Sequence, residues 1–311
     1  MRLQCTMLLV AVLGCGSVES SQPVDAGPGG GSPGDAAMPC TPSAKFSAPA
    51  PVPGLATPAL SEIAPSLSAD ELTVYFWGSP VGDGDTNLYT SHRATRGDAF
   101  PTPRLLTAVN KTGAQDDDPS VTGDDRTLWF ASKRIANEGF HLYVVTRSSP
   151  LVELGAAGLA DGLGADDVTK DDVTPFVTAD GSEVWFTSNR LPTTGAGDIW
   201  YATRTGTGFT QPVRATSLNS TANELAPALS ADRLTIYFAS SRTGAGTQGG
   251  LDVWTATRPT VDADFSPPVL VDELNTPDDD RATWLSPDNC RIYGSTGGNG
   301  SFNVFMATRQ P

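Results

Sequence analysis

The sequence repeats one pattern five times at a nearly constant spacing. Two copies match closely: FVTADGSEVWFTSNRLPTTGAGDIWYATR from Phe176 to Arg204, and ALSADRLTIYFASSRTGAGTQGGLDVWTATR from Ala228 to Arg258. The residues that open the five copies are Pro65, Pro119, Pro175, Pro227 and Thr283. Their spacings are 54, 56, 52 and 56 residues, and a fixed period of this size is typical of a solenoid or a propeller.

Each copy reads as a set of short β-strands joined by turns. A first strand ends in a Ser/Thr-x-Asp turn, and a second strand follows with the alternation and aromatic content of a half-buried pleat, as in LTIYF and EVWF. A Gly-rich loop then leads to a third strand such as DVWTATR. The aromatic residues of the second strands are expected to pack between neighbouring repeats; they are Tyr75, Trp129, Trp185, Tyr237 and Tyr293.

A fourth strand indicates how the chain closes. Three copies are followed by a Phe, a Pro three residues later and an aliphatic residue nine later, as in Phe100, Pro103 and Val109. The fifth copy lacks this segment, but Phe46 and Leu55 repeat its pattern before the first copy. An N-terminal strand that completes the last sheet closes a ring and leaves no open edge. We therefore predict an all-β, five-bladed propeller of four-stranded antiparallel blades over residues 44–311.

Composition agrees with this fold and excludes one class of partner. The 32 glycines and 25 prolines fit a chain with many turns. The formal net charge of −15 excludes nucleic acid, because binding a phosphate backbone requires a basic surface. Cations, basic proteins and neutral glycans remain as partner classes, and we expect a monomer.

The N-terminus has the features of a secretory signal. Arg2 precedes the apolar run Met7–Leu13, which is too short to span a bilayer. The VLGC ending resembles a lipoprotein signal, with residues 1–14 removed and Cys15 lipidated, and the alternative is a plain signal peptide. Residues 15–43 read as a flexible Gly/Pro/Ser-rich tether. This predicts a location in the cell envelope at the outer membrane, on its periplasmic or surface face, with membrane contact only through the lipid anchor.

The repeats resemble a known family of propellers. The run from Ser-Ala-Asp through YFASSR and a Gly-rich loop to DVWTATR is similar to the WD40-like (PD40) repeat of TolB-type bacterial propellers. The resemblance covers about 250 residues and implies a propeller of the bacterial envelope that binds other macromolecules. Copy one, with Trp77-Gly78-Ser79-Pro80, departs from the repeat, and so does copy five, with Gly294-Ser295-Thr296.

Sequence motifs do not indicate a catalytic centre. The two histidines, His92 and His141, occupy different positions within their copies, which argues against a histidine triad or a zinc cluster. The repeats contain no G-x-S-x-G motif, and the Ser/Thr-x-Asp hydroxyls recur in every copy, as turn residues do. We assign no catalytic residue, and a non-catalytic protein is favoured over an enzyme.

An acidic residue stands three positions before each opening residue. The five acids are Glu62, Asp116, Asp172, Glu224 and Asp280. Because inner strands begin at one rim of the channel, equal register places these carboxylates in a ring, where mutual repulsion favours binding of a cation such as calcium or of a basic surface. The candidate metal ligands are Glu62, Asp116, Asp279 and Asp280.

The alternative role for these acids is structural. Arg134, Arg190 and Arg242 end the second strands of copies two, three and four at the same rim, whereas copies one and five have Pro80 and Gly298 there. Pairing with arginine would neutralise three of the acids and leave Glu62 and Asp280 uncompensated.

Two cysteines are predicted to meet at the closure. Cys290 lies at the start of a second strand, and Cys40 lies six residues before Phe46. Because neighbouring strands alternate in direction, both positions fall on the same face of blade five. We therefore predict a Cys40–Cys290 disulfide in an oxidising compartment.

Two functions follow from these patterns. The first is an envelope-tethered binding or scaffold propeller that recognises an envelope protein, a glycan or a cation at the acidic rim. The second is a carbohydrate-binding or glycoside-hydrolysing propeller, in which two carboxylates act in the central pocket. A hydrolase needs acids in unequal environments, whereas the ring repeats nearly the same acid five times, which favours binding.

Overall fold

The computed structural model describes residues 40–41, 43–55, 60–80, 86–164, 167–206, 208–298 and 301–309. The signal sequence, Cys15 and most of the tether lie outside these residues. The strands, in chain order, are β1 (Ala50–Pro51), β2 (Leu60–Leu67), β3 (Thr73–Pro80), β4 (Asn87–His92), β5 (Arg104–Leu105), β6 (Asp116–Val121), β7 (Thr127–Ser132), β8 (His141–Thr146), β9 (Gly158–Leu159), β10 (Asp172–Val177), β11 (Glu183–Ser188), β12 (Asp198–Thr205), β13 (Gly208–Phe209), β14 (Val213–Arg214), β15 (Glu224–Leu229), β16 (Thr235–Ser240), β17 (Asp252–Thr257), β18 (Val269–Leu270), β19 (Asp279–Leu285), β20 (Arg291–Gly298) and β21 (Ser301–Thr308).

These strands form five antiparallel sheets, one for each repeat, and the predicted five-bladed all-β propeller is confirmed. Blade one has the order β2-β3-β4-β5, blade two β6-β7-β8-β9 and blade four β15-β16-β17-β18. In blade three β14 pairs with β12 as the outer strand, and β13 forms a short hairpin with the end of β12. Within the described residues the helical structure is a single 3-10 turn, Asp272–Leu274.

Blade five has the order β19-β20-β21-β1, so the N-terminal segment supplies its outer strand. Ala50 pairs with Met306, and Phe46 pairs with Arg309. This confirms the predicted closure. The guanidinium carbon of Arg309 lies 4.2 Å from the centre of the Phe46 ring, so a cation–π contact supports the strand pairing.

Large aromatic side chains fill the space between blades. The five aromatic residues of the second strands are each 4% exposed or less, as expected for packing between repeats. One cluster combines Tyr75 and Leu88 of blade one with Phe130 and Tyr143 of blade two. Burial of such clusters on both sides of each sheet holds the blades in a ring.

The Ser/Thr-x-Asp motifs form the turns between first and second strands, as predicted. In blade one the Ser68 hydroxyl donates to Asp70 Oδ1 over 2.6 Å, and the backbone N–H of Thr73 donates to Ser68 Oγ over 3.0 Å. Equivalent bonds occur at Thr122, Thr178, Ser230 and Ser286. We call the end of the propeller that carries these turns the turn face, and the opposite end, where the inner strands begin, the mouth face.

Cys40 and Cys290 form a disulfide with a Cα–Cα distance of 5.7 Å. The alternating direction of neighbouring strands predicted this pairing. Cys290 lies two residues after Asp288 of the Ser286-Pro287-Asp288 turn, so the bond fixes the start of the described chain to the turn face.

None of the helical structure within the described residues is long and apolar enough to cross a membrane.

Candidate functional site

The five acids that open the inner strands are buried. Each of them is 0% exposed; they are Glu62, Asp116, Asp172, Glu224 and Asp280. Their common register places them at the mouth face as expected, but not on an exposed surface. The prediction of an acidic recognition rim formed by these five residues does not fit their burial.

Three of the acids form ion pairs with arginines. The distance from Arg134 Nη2 to Asp116 Oδ1 is 2.6 Å, and the Arg190–Asp172 and Arg242–Glu224 pairs measure 2.6 and 3.0 Å. In blades two, three and four the acid is therefore paired with an arginine, as the structural role requires.

Asp116 shows what such a pair does. Its two oxygens also accept hydrogen bonds from the Ser132 hydroxyl and from the backbone N–H of Lys111, both over 2.6 Å. Arg134 additionally donates to the carbonyl oxygen of Val109 over 3.1 Å. The acid and the arginine thus join the inner strand, the second strand and the loop that enters the blade.

Blade five lacks this arginine. Asp280 accepts hydrogen bonds from the backbone N–H and the hydroxyl of Thr276, at 2.5 and 3.0 Å. Burial raises the pKa of Asp280 to about 6, and its hydrogen bonds with Thr296 and Thr276 limit the rise. A buried carboxyl without a cationic partner pays the full cost of desolvation when it ionises.

The candidate metal ligands are not brought together. Among the described residues, no three His, Cys, Asp or Glu side chains form a group that could hold a metal ion. Asp116 is paired with Arg134, and Asp279 Oδ1 accepts a hydrogen bond from the N–H of Leu251 over 3.0 Å. Protein donors occupy the oxygens of Asp116 and Asp280 and one oxygen of Asp279, and the metal site at Glu62, Asp116, Asp279 and Asp280 stays a prediction.

The repeats differ most at the positions that follow the acids. One residue further along the inner strands stand Ile63, Asp117, Val173, Leu225 and Arg281. The next positions carry Ala64, Asp118, Thr174, Ala226 and Ala282. Blade two therefore places two carboxylates, and blade five a guanidinium, where the other blades have aliphatic side chains or a hydroxyl.

A local backbone feature positions these residues. Each inner strand has a bulge at this point, and Ala64, Asp118, Thr174 and Ala226 adopt left-handed conformations with φ between 47° and 54°. A proline follows each of the four. A left-handed residue before proline is strained. The strained conformation recurs in four blades. It is therefore a feature of the inner strands in general and does not mark one site.

A cavity of about 370 Å³ opens on the mouth face at these positions. Its lining includes Trp77 of blade one, Asp117 and Asp118 of blade two, Asn189 of blade three, Asn223 of blade four and Arg281 of blade five. We call it the mouth cavity. Its volume lies in the range of small-molecule binding sites.

Trp77 also departs from the repeat. The other blades carry Ala131, Thr187, Ala239 and Ser295 at this position of the second strand. The indole N–H of Trp77 donates to Asp118 Oδ1 over 2.9 Å, and the backbone N–H of Thr174 donates to Asp118 Oδ2 over 3.2 Å. Substitutions in three blades therefore converge on one cavity.

The two neighbouring carboxyls are shifted toward their protonated forms. Burial, followed by the charge of Asp118, raises the pKa of Asp117 to about 7. Burial also raises the pKa of Asp118, and the Arg281 guanidinium opposes that rise most strongly. Asp117 Oδ1 is buried and has no hydrogen-bond partner among the described residues; the Thr86 hydroxyl lies near enough to favour ionisation without completing a bond. The mouth cavity therefore contains a carboxyl whose protonated form is favoured by burial.

A second cavity, of about 210 Å³, lies at the turn face. It is lined by the last residues of all five inner strands, which are Leu67, Val121, Val177, Leu229 and Leu285, together with the adjacent turns. The same aliphatic residue type recurs in every blade, so this cavity follows from the construction of the ring.

The sequence patterns assigned no role to Asp117, Asp118, Asp171, Trp77 or Arg281. The available signal was the difference between aligned copies. Residues shared by all copies build the ring, whereas Trp77, Asp118 and Arg281 break the pattern and meet in space.

The fold and this cavity define the class of protein as a five-bladed β-propeller with an asymmetric pocket at the mouth of its channel. No protein-family model and no curated protein matches the sequence. Solved structures share the fold at low identity. The α-L-arabinofuranosidase from Lactobacillus brevis has a TM-score of 0.56 at 13% identity, covering 82% of this chain and 92% of that one.

Two further solved structures are similar to this chain. The catalytic domain of the GH62 α-L-arabinofuranosidase from Coprinopsis cinerea has a TM-score of 0.55 at 12% identity, covering 86% of this chain and 98% of that one. TolB from Acinetobacter baumannii has a TM-score of 0.47 at 15% identity and is matched over 80% of this chain. This chain covers 54% of TolB, about half its length.

Proposed function

We propose that this protein is a binding propeller of the bacterial envelope that recognises a glycan in the mouth cavity. The observation that carries the proposal is the convergence of Trp77, Asp117, Asp118 and Arg281, which break the five-fold repeat, on a single cavity. Structural residues recur in every blade, so a local departure shared by three blades needs a separate reason, and a ligand supplies one.

The chemistry of the lining favours a hydroxyl-rich ligand. Asn189, Asn223 and Arg281 offer hydrogen-bond donors, the carboxylates of Asp117 and Asp171 offer acceptors, and the partly exposed indole of Trp77 offers an apolar surface. Sugars present alternating hydroxyl groups and apolar ring faces, which this mixture matches.

The position in the envelope is part of the proposal and has its own test. Lipidation of Cys15 would hold the propeller on a tether of roughly 25 residues, with a root-mean-square reach of about 25–30 Å. Incorporation of a labelled fatty acid by the wild-type chain, and its loss in Cys15→Ala, would support the anchor. A protein that is released without label would contradict it.

The binding function can be tested by calorimetry with soluble chito-, xylo- and arabino-oligosaccharides. We expect one of these series to bind the wild-type protein, and we expect Trp77→Ala to weaken that binding at least tenfold. The matched control is Asp232→Asn, an exposed residue of the turn face, which should leave binding unchanged. Equal binding by both variants, or binding of none of the three series, would overturn the assignment.

Glycoside hydrolysis is the second candidate, and a specific observation favours it. Asp117, with its pKa raised to about 7, can donate a proton near neutral pH, which is the property of a general acid, and Asp118 is a second carboxyl beside it. Two of the structural neighbours are α-L-arabinofuranosidases.

Hydrolysis would be detected as release of nitrophenol from 4-nitrophenyl α-L-arabinofuranoside, or of monosaccharide from the bound oligosaccharide. Loss of this release in Asp117→Asn, with oligosaccharide binding retained, would establish an enzyme. Binding by the wild-type protein without any release would leave the binding function alone.

A further inference from the structure

We propose that the saccharide unit recognised by the mouth cavity carries a free amino group, which binds as an ammonium ion beside Asp117. This inference rests on the proposed glycan-binding function and specifies its ligand class.

The charges that line the cavity are unbalanced. Asp117, Asp118 and Asp171 contribute carboxyl groups, and within the described part of the chain Arg281 is the cationic side chain of the lining. A ligand cation placed here would reduce the repulsion between the carboxylates and offset part of the cost of burying them.

Asp117 is the carboxyl available to such a cation. Both oxygens of Asp118 already accept hydrogen bonds, from Trp77 and Thr174. Asp171 accepts hydrogen bonds from the N–H of Phe140 over 2.9 Å and from the side-chain amide of Asn189 over 3.4 Å. Asp117 is partly exposed and lines the same cavity, and its buried Oδ1 has no hydrogen-bond partner among the described residues.

An ammonium group fits this arrangement better than a metal ion. Calcium requires six to eight oxygen ligands, whereas the described residues provide no group of three acidic, histidine or cysteine side chains suited to a metal. An ammonium group needs one accepting carboxylate and uses its remaining N–H bonds on amide or hydroxyl oxygens. Asn223 lines the cavity and supplies such an oxygen.

The position of Arg281 indicates the chemistry of the rest of the ligand. It holds the register position of Asp117 in blade five, so the mouth carries a carboxyl and a guanidinium on the two blades that flank blade one. A ligand with an amine at one end and hydroxyl acceptors at the other matches this polarity.

The experiment compares two saccharides that differ only at nitrogen. Glucosamine tetrasaccharide and its fully N-acetylated counterpart have the same rings and linkages, but only the first carries ammonium groups. Calorimetry at pH 5.5, where the glucosamine amines are fully protonated, should show at least tenfold tighter binding of the amine form. At this pH the free protein carries a proton on Asp117. Because the bound ammonium group favours ionised Asp117, binding should also release protons, detected as a dependence of the heat on the ionisation enthalpy of the buffer.

Asp117→Asn should abolish both the preference for the amine and the proton release. Asp278→Asn is the matched control, since it removes the same charge from an exposed residue outside the cavity lining. A thermal melt of each variant checks folding, and Asp118→Asn, which should weaken the preference, provides a second test within the cavity.

Each remaining outcome overturns a defined part of the proposal. Equal affinity for the two tetrasaccharides would overturn the amine inference and leave the glycan function in place. Failure of every saccharide to bind would overturn both. An amine preference that survives Asp117→Asn would show that the ammonium group binds elsewhere.

Discussion

At the scale of single residues, the acidic side chains of this protein divide by their surroundings. Asp116, Asp172 and Glu224 are buried against arginines. Asp117 is partly buried beside a second carboxyl, and desolvation, followed by the charge of Asp118, raises its pKa. These acids are of one residue type and occupy neighbouring positions in the strands, but they do not share a role. Desolvation and the nearest charge decide the pKa of each.

Asp117 gives a prediction with a defined pH dependence. Below pH 4 both the folded and unfolded chains carry its proton, between about pH 4 and 7 only the folded chain does, and above pH 7 neither does. Unfolding therefore releases a proton in this window, and the free energy of unfolding falls as the pH rises. Asp117→Asn should remove this fall, stabilising the protein at pH 8 by roughly 2–4 kcal/mol and having little effect at pH 4.

The measurement is urea unfolding at pH 4, 6 and 8. Asp180 is a control of opposite sign, because its pKa is lowered by hydrogen bonds with Ser182 and Thr178, although its partial burial acts in the other direction. Asp180→Asn should destabilise the protein at neutral pH, and this loss should disappear as the pH falls through the lowered pKa. Parallel pH profiles for the two variants would contradict the opposite pKa shifts of Asp117 and Asp180.

The buried pair Arg190–Asp172 gives a second prediction at this scale. Arg190→Met leaves a carboxylate buried without its cation and should cost about 3–5 kcal/mol of unfolding free energy. Adding Asp172→Asn should recover most of this loss. The exposed pair Arg104–Glu153, whose side chains are 56% and 75% exposed, is the reference, and Glu153→Gln should cost about 0–1 kcal/mol. Similar losses for Arg190→Met and Glu153→Gln would show that the buried pair adds nothing beyond a surface pair.

At the scale of the structural element, the two-residue strand β1 closes the ring of blades. It supplies the outer strand of blade five and joins the N-terminal part of the chain to its end. The aromatic anchor of this closure is Phe46, 5% exposed, which packs with Val253, Leu274 and Phe305 in one cluster. Closure of a ring by one strand makes the stability of all blades depend on it.

Phe46→Ala should therefore reduce the unfolding free energy by about 3–5 kcal/mol, the usual cost of removing a buried phenylalanine. A chain that begins at residue 60 should lose the cooperative unfolding transition altogether. Phe209→Ala, which removes the same ring from the outer segment of blade three, is the internal comparison. It should lower stability while the transition stays cooperative. A cooperative melt of the truncated chain at the wild-type temperature would refute the role of the closure.

The Cys40–Cys290 disulfide acts on the same element. It spans 250 residues, and in the chain-entropy treatment a loop of this length contributes up to about 5 kcal/mol. Reduction, or Cys290→Ala, should lower the melting temperature while leaving the strand content seen by circular dichroism unchanged at low temperature. Melting that is insensitive to reductant would show that the strand pairing alone closes the ring.

At the scale of the whole molecule, the two faces of the propeller carry different features. The disulfide fixes the start of the described chain to the turn face, and the mouth cavity opens at the opposite end. If Cys15 carries the lipid, the tether joins the turn face to the membrane. We then expect the mouth cavity to be directed away from that membrane.

Energy transfer from a fluorophore to an acceptor in the lipid headgroups tests this orientation. The lipidated protein would be reconstituted in vesicles and labelled at Asp232→Cys on the turn face or at Leu191→Cys on the mouth face, both exposed positions. Transfer should be stronger from the turn-face label. Equal transfer from both labels would mean that the tether does not orient the propeller.

The sequence by itself determined the number of blades, their four-stranded composition, the turns and the N-terminal closing strand. These features are local or periodic, since each depends on alternation, turn residues and spacing within one repeat. The tertiary structure decided which acids are buried, because that depends on the loop that covers Asp116 and on the arginine that reaches it. It also decided where the site lies. Trp77, Asp118 and Arg281 are far apart in the chain, and only closure of the ring around a common axis brings their blades to one cavity.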